Sequence, residues 1–164
     1  MPSTYSMTVT GLVRAPRAAV YRALLDPDAL ARWRTPDDMS AQVHEFDPRE
    51  GGGFRISLAY DDPARAGKSA GSTDTYAGRF ERLVPHEQVV EVIEFESEDP
   101  GLRTPMTMTT TLRDVEGGTQ VEIHHRGIPD GVSRADNETG TRMALAKLAA
   151  HVETVHRHTE EEES

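Results

Sequence analysis

Between residues 40 and 128 the chain repeats one pattern six times: a segment of alternating apolar and polar residues, then a turn. The segments are AQVHEFDP (41–48), GGFRISLAY (52–60), STDTYAGRFERL (72–83), QVVEVIEFES (88–97), MTMTTTLRDV (106–115) and TQVEIHHRGI (119–128). DPREGGG, DDPARAGKSAG, VPHE, EDPGLRTP and EGG mark the turns. Alternation with period two is the pattern of a half-buried strand, and clusters of Gly, Pro and Asp end such strands. No link carries a crossover helix, so successive strands must run antiparallel.

The flanks complete the order. YSMTVTGLV (5–13) predicts a further strand. A helix then opens with Pro16 at its first position, where a missing N–H costs nothing, and places Val20, Ala23 and Leu24 on one face. Asp26 is a good N-cap and Pro27 a good first residue for a second short helix. That helix turns Leu30 and Trp33 to one side, points Arg32 and Arg34 elsewhere, and ends at Thr35-Pro36. Residues 137–158 predict a long helix, with Thr141, Leu145, Leu148, Val152 and Val155 forming a stripe that is apolar after its first member. Met143 falls off that stripe. The sequence therefore predicts an α+β chain: a single domain over residues 1–158, and an acidic tail, 159–164, without fold of its own.

An antiparallel sheet of seven strands would leave one face open to water unless something covers it. The long C-terminal helix is the only element of sufficient length. The expected architecture is a helix-grip: a curved seven-stranded antiparallel sheet wrapped around that helix, with two short helices after strand 1 and a tapering cavity between sheet and helix.

Charge and composition narrow the function classes. With 28 acidic against 18 basic residues the net charge is −10, which disfavours phosphate backbones and anionic membrane surfaces. There is no cysteine, so disulfides, thiolate catalysis and cysteine-bound metals are excluded. No apolar run reaches membrane-spanning length and no signal-like start is present, which predicts a cytoplasmic protein without membrane insertion.

Few motifs carry chemistry. His124 and His125 are neighbours on a strand and so point to opposite faces. His151, His156 and His158 lack the i, i+4 spacing of a helical metal pair, so neither metal nor cofactor is expected. In period with Val121 and Ile123, His125 faces inward, as a hydrogen-bonded core residue or as a pocket residue. In the acidic run Glu91, Glu94, Glu96 and Glu98, the last three share one face and Glu91 the other, and a solvated sheet face is the default reading. Glu94, beside Val90 and Val92, is the one to inspect for burial, since a buried Glu94 would be a candidate acid–base. DPREGGGF reads as a hairpin turn and AGKSAG as a loop, because neither has the strand–helix setting of a phosphate loop. No G-x-S-x-G nucleophile elbow is present.

The segments LLDPDALARW, HEFDPREGGGFRIS, YAGRFERLVPHEQVVEVIEFE, TMTTTLRDVEGGTQVEIHHRGIPD and NETGTRMALAKLAAHVE, in that order, resemble bacterial homologues of the C-terminal domain of the activator of the heat-shock chaperone ATPase. That family sits in the START-like, polyketide-cyclase-like superfamily of helix-grip folds, and the likeness runs from about residue 9 to 155. The resemblance implies a hydrophobic pocket under the long helix, with lipid carriers, cyclases and chaperone partners among relatives. Two departures stand out: Trp33-Arg34 where the family commonly has two tryptophans, and Gly140-Thr141 where it commonly has Gly-Trp. If Thr141 faces the cavity, the pocket should be wider and more polar near the helix start.

With that pocket in view, the inward-alternating residues become its candidate wall: Trp33, Phe54, Ile56, Leu58, Tyr60, Tyr76, Phe80, Met106, Met108, His125, Thr141 and Leu145. Core packing is the default role for such stripes. Tyr60, Tyr76 or His125 could orient a polar head, whereas Arg55 alternates with Phe54 and faces out. The leading reading is binding of a small hydrophobic or aromatic, lipid-like molecule without catalysis. A cyclase- or hydratase-type enzyme and a chaperone-cofactor-like interaction module are the alternatives, and a homodimer stays open.

Overall fold

In a computed structural model, residues 4–35, 39–60, 73–96 and 105–163 are described, excepting the side chains of 60, 73, 74 and 158–163. Strand β1 (Thr4–Val13) leads into helices α1 (Arg17–Leu24) and α2 (Pro27–Trp33). Six strands follow: β2 (Met39–Phe46), β3 (Gly53–Tyr60), β4 (Thr73–Val84), β5 (Gln88–Phe95), β6 (Met106–Val115) and β7 (Gly118–Pro129). Helix α3 (Arg134–Glu163) ends the order. The strands form one open, curved, antiparallel sheet in the order β1-β7-β6-β5-β4-β3-β2. Consecutive strands pair by hairpins from β2 to β7, and β1 closes on β7 at the other edge. The α+β helix-grip expectation is thus met in strand number, pairing and helix order.

Local signals explain the helix starts. Asp26 caps α2 through its carboxylate, which accepts from the backbone N–H of Asp28 (2.9 Å) and Ala29 (3.4 Å), and Pro27 occupies the first turn. Pro16 sits one position earlier than expected: it is the N-cap of α1, extended at ψ 155°. Its ring fixes φ near the required value, and its carbonyl takes the N–H groups of Ala19 and Val20. Helix α3 runs beyond its predicted span at both ends, and residues 159–163, expected to lack fold, continue it.

The concave face of the sheet and three helix faces share one core. It contains Val9, Val13, Phe54, Ile56, Phe80, Val121 and Ile123 from the strands, Val20, Leu24, Leu30 and Trp33 from the short helices, and Leu145, Leu148 and Val152 from α3. Val155 leaves the predicted stripe and is exposed, as is Met143. Helix α3 packs along β1, α1 and α2. Its approach to β1 depends on Gly11, where a Cβ would stand 2.8 Å from the Leu145 side chain. The Lys147 ammonium donates to the Thr35 carbonyl and ties α3 to the end of α2. Among the described residues no helix is long and apolar enough to cross a membrane.

Candidate functional site

Antiparallel register sets five side chains next to one another across five strands. Met7 on β1 opposes His125 on β7, which opposes Met108 on β6; Met108 opposes Glu91 on β5, and Glu91 opposes Phe80 on β4. Directly opposed residues share a sheet face, so this rung lies on the concave side, and all five members are buried. An imidazole flanked by two thioethers and a carboxylate set between a thioether and a phenyl ring is a costly arrangement unless partners arrive from outside the sheet.

Arg34 is that partner. It is the C-cap residue of α2, where the helix stops and the backbone turns. Its guanidinium reaches Glu91 in a two-pronged pair, Nη1 to Oε1 at 3.1 Å and Nη2 to Oε2 at 2.9 Å. The Arg34 and Glu91 side chains are only 14% and 5% exposed. Nη2 also lies 3.7 Å from the Met108 sulfur, and the guanidinium carbon stands 5.1 Å from the centroid of the Trp33 ring. Burial works against the cation, but the charge and hydrogen bonds of Glu91, helped by Tyr76, outweigh it, and Arg34 is held above its usual range and stays protonated. The expectation that Arg34 turns away from Trp33 is therefore corrected. Arg34 folds inward over the indole because the Glu91 carboxylate compensates its charge there. Trp33 itself is buried and donates its indole N–H to the Ala23 carbonyl at 3.3 Å, a bond that fixes α2 against α1.

Two further polar atoms complete the cluster, and neither has a hydrogen-bond partner: the Tyr76 hydroxyl and His125 Nδ1. Tyr76 is 6% and His125 7% exposed. Burial raises the Tyr76 hydroxyl's pKa, against the opposing pull of the Arg34 cation. Arg34 stands near that hydroxyl without making a hydrogen bond of ordinary length and angle to it. Burial foremost, with the charges of Arg34 and His124, pushes His125 down to about 4, so it is neutral at pH 7. Both unpartnered atoms thus lie within the electrostatic reach of Arg34. His124 points the other way and pairs with Thr8 across the outer face at 2.8 Å.

The remaining predicted wall residues fall into four groups. Phe54, Ile56, Phe80, Met108 and Leu145 are buried in the core, and Leu58 and Met106 pack at its margin. The Phe54 ring meets Tyr76 edge-on at 6.3 Å and Phe80 at 5.3 Å. Thr141 is buried, but its hydroxyl donates to the Asn137 carbonyl one turn back at 2.7 Å. The helix consumes that hydroxyl, so it does not add polarity to the face below. Tyr60 ends β3, and its side chain lies outside the described residues; so does the AGKSAG segment. Arg55 faces outward, as expected, in a two-pronged pair with Glu96 at 2.9 Å.

Glu94 is exposed, and Glu91 is the buried carboxylate. On β5, Val89, Glu91 and Ile93 form the inward set, while Val90 and Val92 belong to the outer face. With valines on both faces, the strand alone did not fix which side was inward. The signal lay in the next strand: Met108, already on the inward set with Leu112, is the register partner of Glu91.

Two concavities bounded by described residues lie away from the cluster. One of about 750 Å³ lies along the β4–β5 strands and is lined by Arg79, Val92 and Glu94. Another of about 230 Å³ separates α1 and α2 from the C-terminal half of α3. Among the described residues no three His, Cys, Asp or Glu side chains gather as a metal site.

Residues 14–153 match the family described as Activator of Hsp90 ATPase homolog 1-like protein. The chain belongs to this family. A protein of Chromobacterium violaceum is 32% identical to it, with a TM-score of 0.80 over 90% of this chain and 96% of that one. A Rhodobacter sphaeroides protein shares 19% identity at a TM-score of 0.76, covering 94% and 95% of the two chains. An AHSA1-like protein from Aeromonas hydrophila shares 20% at 0.71, covering 92% and 94%. At the last two identities the likeness speaks for the fold alone. No curated protein matches the sequence. The Activator of Hsp90 ATPase homolog 1-like family thus frames the fold.

Proposed function

We propose that this AHSA1-like chain binds a small, largely apolar or aromatic molecule at the concave sheet face, with a polar group of the ligand reaching the Arg34 cluster. The observation that carries this reading is the pair of buried, unpartnered polar atoms, Tyr76 Oη and His125 Nδ1. Buried polar atoms in native proteins almost always find partners, and each one left without costs about 1–3 kcal/mol. A ligand that supplies the missing bonds recovers that cost on binding. The Phe54 and Met108 side chains around the cluster supply aromatic and adaptable apolar surface, worth about 25 cal/mol per Å2 buried.

Burial of His125 also bears on the enzyme reading, since a cyclase or hydratase needs an ionisable group inside. A base held near pH 4 is weak at neutral pH, however, and Glu91 is committed to Arg34. Binding without turnover fits these groups better. For an interaction module, a broad exposed apolar patch would be expected. The exposed large apolar side chains among the described residues, Leu12, Val115, Met143 and Val155, are spread over β1, β6 and α3.

Native mass spectrometry of freshly purified protein, followed by extraction, tests the reading. A bound small molecule, or a rise in melting temperature with naphthol-type or fatty ligands, is the expected result. The absence of both a carried-over molecule and a thermal shift across that panel would sink it.

A further inference from the structure

Resting on that reading, we infer that the group presented to the cluster is uncharged: a hydroxyl, phenol, ketone or amide, and not a carboxylate or ammonium. The one cation in the cluster, Arg34, is already matched to the one anion, Glu91, by two parallel hydrogen bonds. The pair is closed, with side-chain exposures of 14% and 5%. What remains without a hydrogen-bond partner is neutral: a phenolic hydroxyl, which both donates and accepts, and one nitrogen of a neutral imidazole.

An incoming carboxylate would have to shed its water and then compete with Glu91 for the same guanidinium. Success would leave Glu91 as a buried anion without a partner, among the costlier arrangements in a protein interior. An incoming ammonium would sit beside Arg34, and the low local dielectric magnifies that repulsion. A neutral hydroxyl or carbonyl avoids both costs. It can bond Tyr76 Oη or His125 Nδ1 without disturbing the ion pair. Sites that hydrogen-bond a neutral group discriminate strongly against ligands that lack it, because the buried partners are left unpaired.

The test uses three probes on one ring system, 2-naphthol, 2-naphthoate and 2-naphthylmethylamine, titrated calorimetrically into the full chain at pH 7. The expected order is naphthol first, with the two charged probes roughly tenfold or more weaker. Two variants read the mechanism. Tyr76→Phe, which removes only an unpartnered hydroxyl, should leave the unliganded melting temperature unchanged or higher. The same variant should weaken naphthol roughly tenfold. Glu91→Gln frees the guanidinium and should move the preference toward naphthoate. If Glu91→Gln fails to fold, Tyr76→Phe still decides the matter.

Naphthoate binding as tightly as naphthol to the unaltered chain would overturn the inference and leave the binding reading intact. Unchanged naphthol affinity in Tyr76→Phe would also overturn it. Binding of none of the three probes would overturn both.

Discussion

Arg34 stands where a helix ends and a side chain must choose between water and the core, and Glu91 decides the choice. Such a pair contributes little net stability over apolar residues of the same size, yet removing one member is expensive, because the other is then a buried charge alone. Glu91→Leu should therefore cost about 3–5 kcal/mol in urea unfolding, and the double replacement Arg34→Met/Glu91→Leu should recover most of that loss. Equal losses in the single and double variants would show that the guanidinium escapes to water when Glu91 is gone. His125 gives a second prediction at the same scale. Its pKa in the folded chain, about 4, lies below the unfolded value near 6.5, so on acidification the unfolded chain takes up the proton first. The contribution to stability is intact above pH 6.5 and falls away between there and pH 4, amounting to about 3 kcal/mol. The difference in unfolding free energy between the unaltered chain and His125→Phe should follow that window, since titrations of other groups cancel in the comparison. A His125 ring resonance, assigned by its loss in His125→Phe, that titrates near 6.5 in the folded protein would contradict it.

The hairpin that joins β6 to β7 holds Met108 and His125 in register, and its turn depends on backbone that only glycine adopts freely. Gly118 has φ 151°, and a Cβ there would fall 2.1 Å from the Val13 carbonyl of β1. Gly118→Ala should cost roughly 1–3 kcal/mol from strain alone, and more if β1 is displaced from β7; chemical denaturation measures it, and an unchanged midpoint would show that the turn relaxes freely. Elements of this kind were legible in the sequence, because the EGG turn and the alternation beside it are local signals. The same holds for the Asp26-Pro27 helix start. What stayed hidden was relational. On β5 the apolar residues Val89, Val90, Val92 and Ile93 populate both faces, so period two could not say whether Glu91 or Glu94 pointed in. Arg34 escaped for a different reason: helical phase describes residues inside a helix, and a C-cap residue has already left it. Thr141 showed the limit of reading volume from residue type, since its hydroxyl is taken up by the Asn137 carbonyl. His125 was placed correctly because β7 runs without irregularity from Val121 through His125.

Across the whole molecule a net charge of −10 surrounds a concave face whose one cation and one anion in the cluster are paired. The exterior repels small anions, while the interior cluster is indifferent to ionic strength, because its charges are buried and held within hydrogen-bonding distance. Salt screens exposed charges over about 10 Å at 0.1 M but reaches buried pairs far less. This gives a test of where a ligand sits that requires no structure of a complex. If 2-naphthol binds at the Arg34 cluster, its affinity should stay constant within error from roughly 0.05 to 0.5 M salt. Binding on the acidic exterior, to exposed arginines such as Arg55, Arg79 or Arg142 that pair with surface carboxylates, would give an affinity that drifts with salt as those pairs loosen. A flat response combined with a loss in Tyr76→Phe assigns the site to the concave face. A salt-dependent response that survives Tyr76→Phe moves it to the outside, and would make the paired interior cluster a structural feature of the fold.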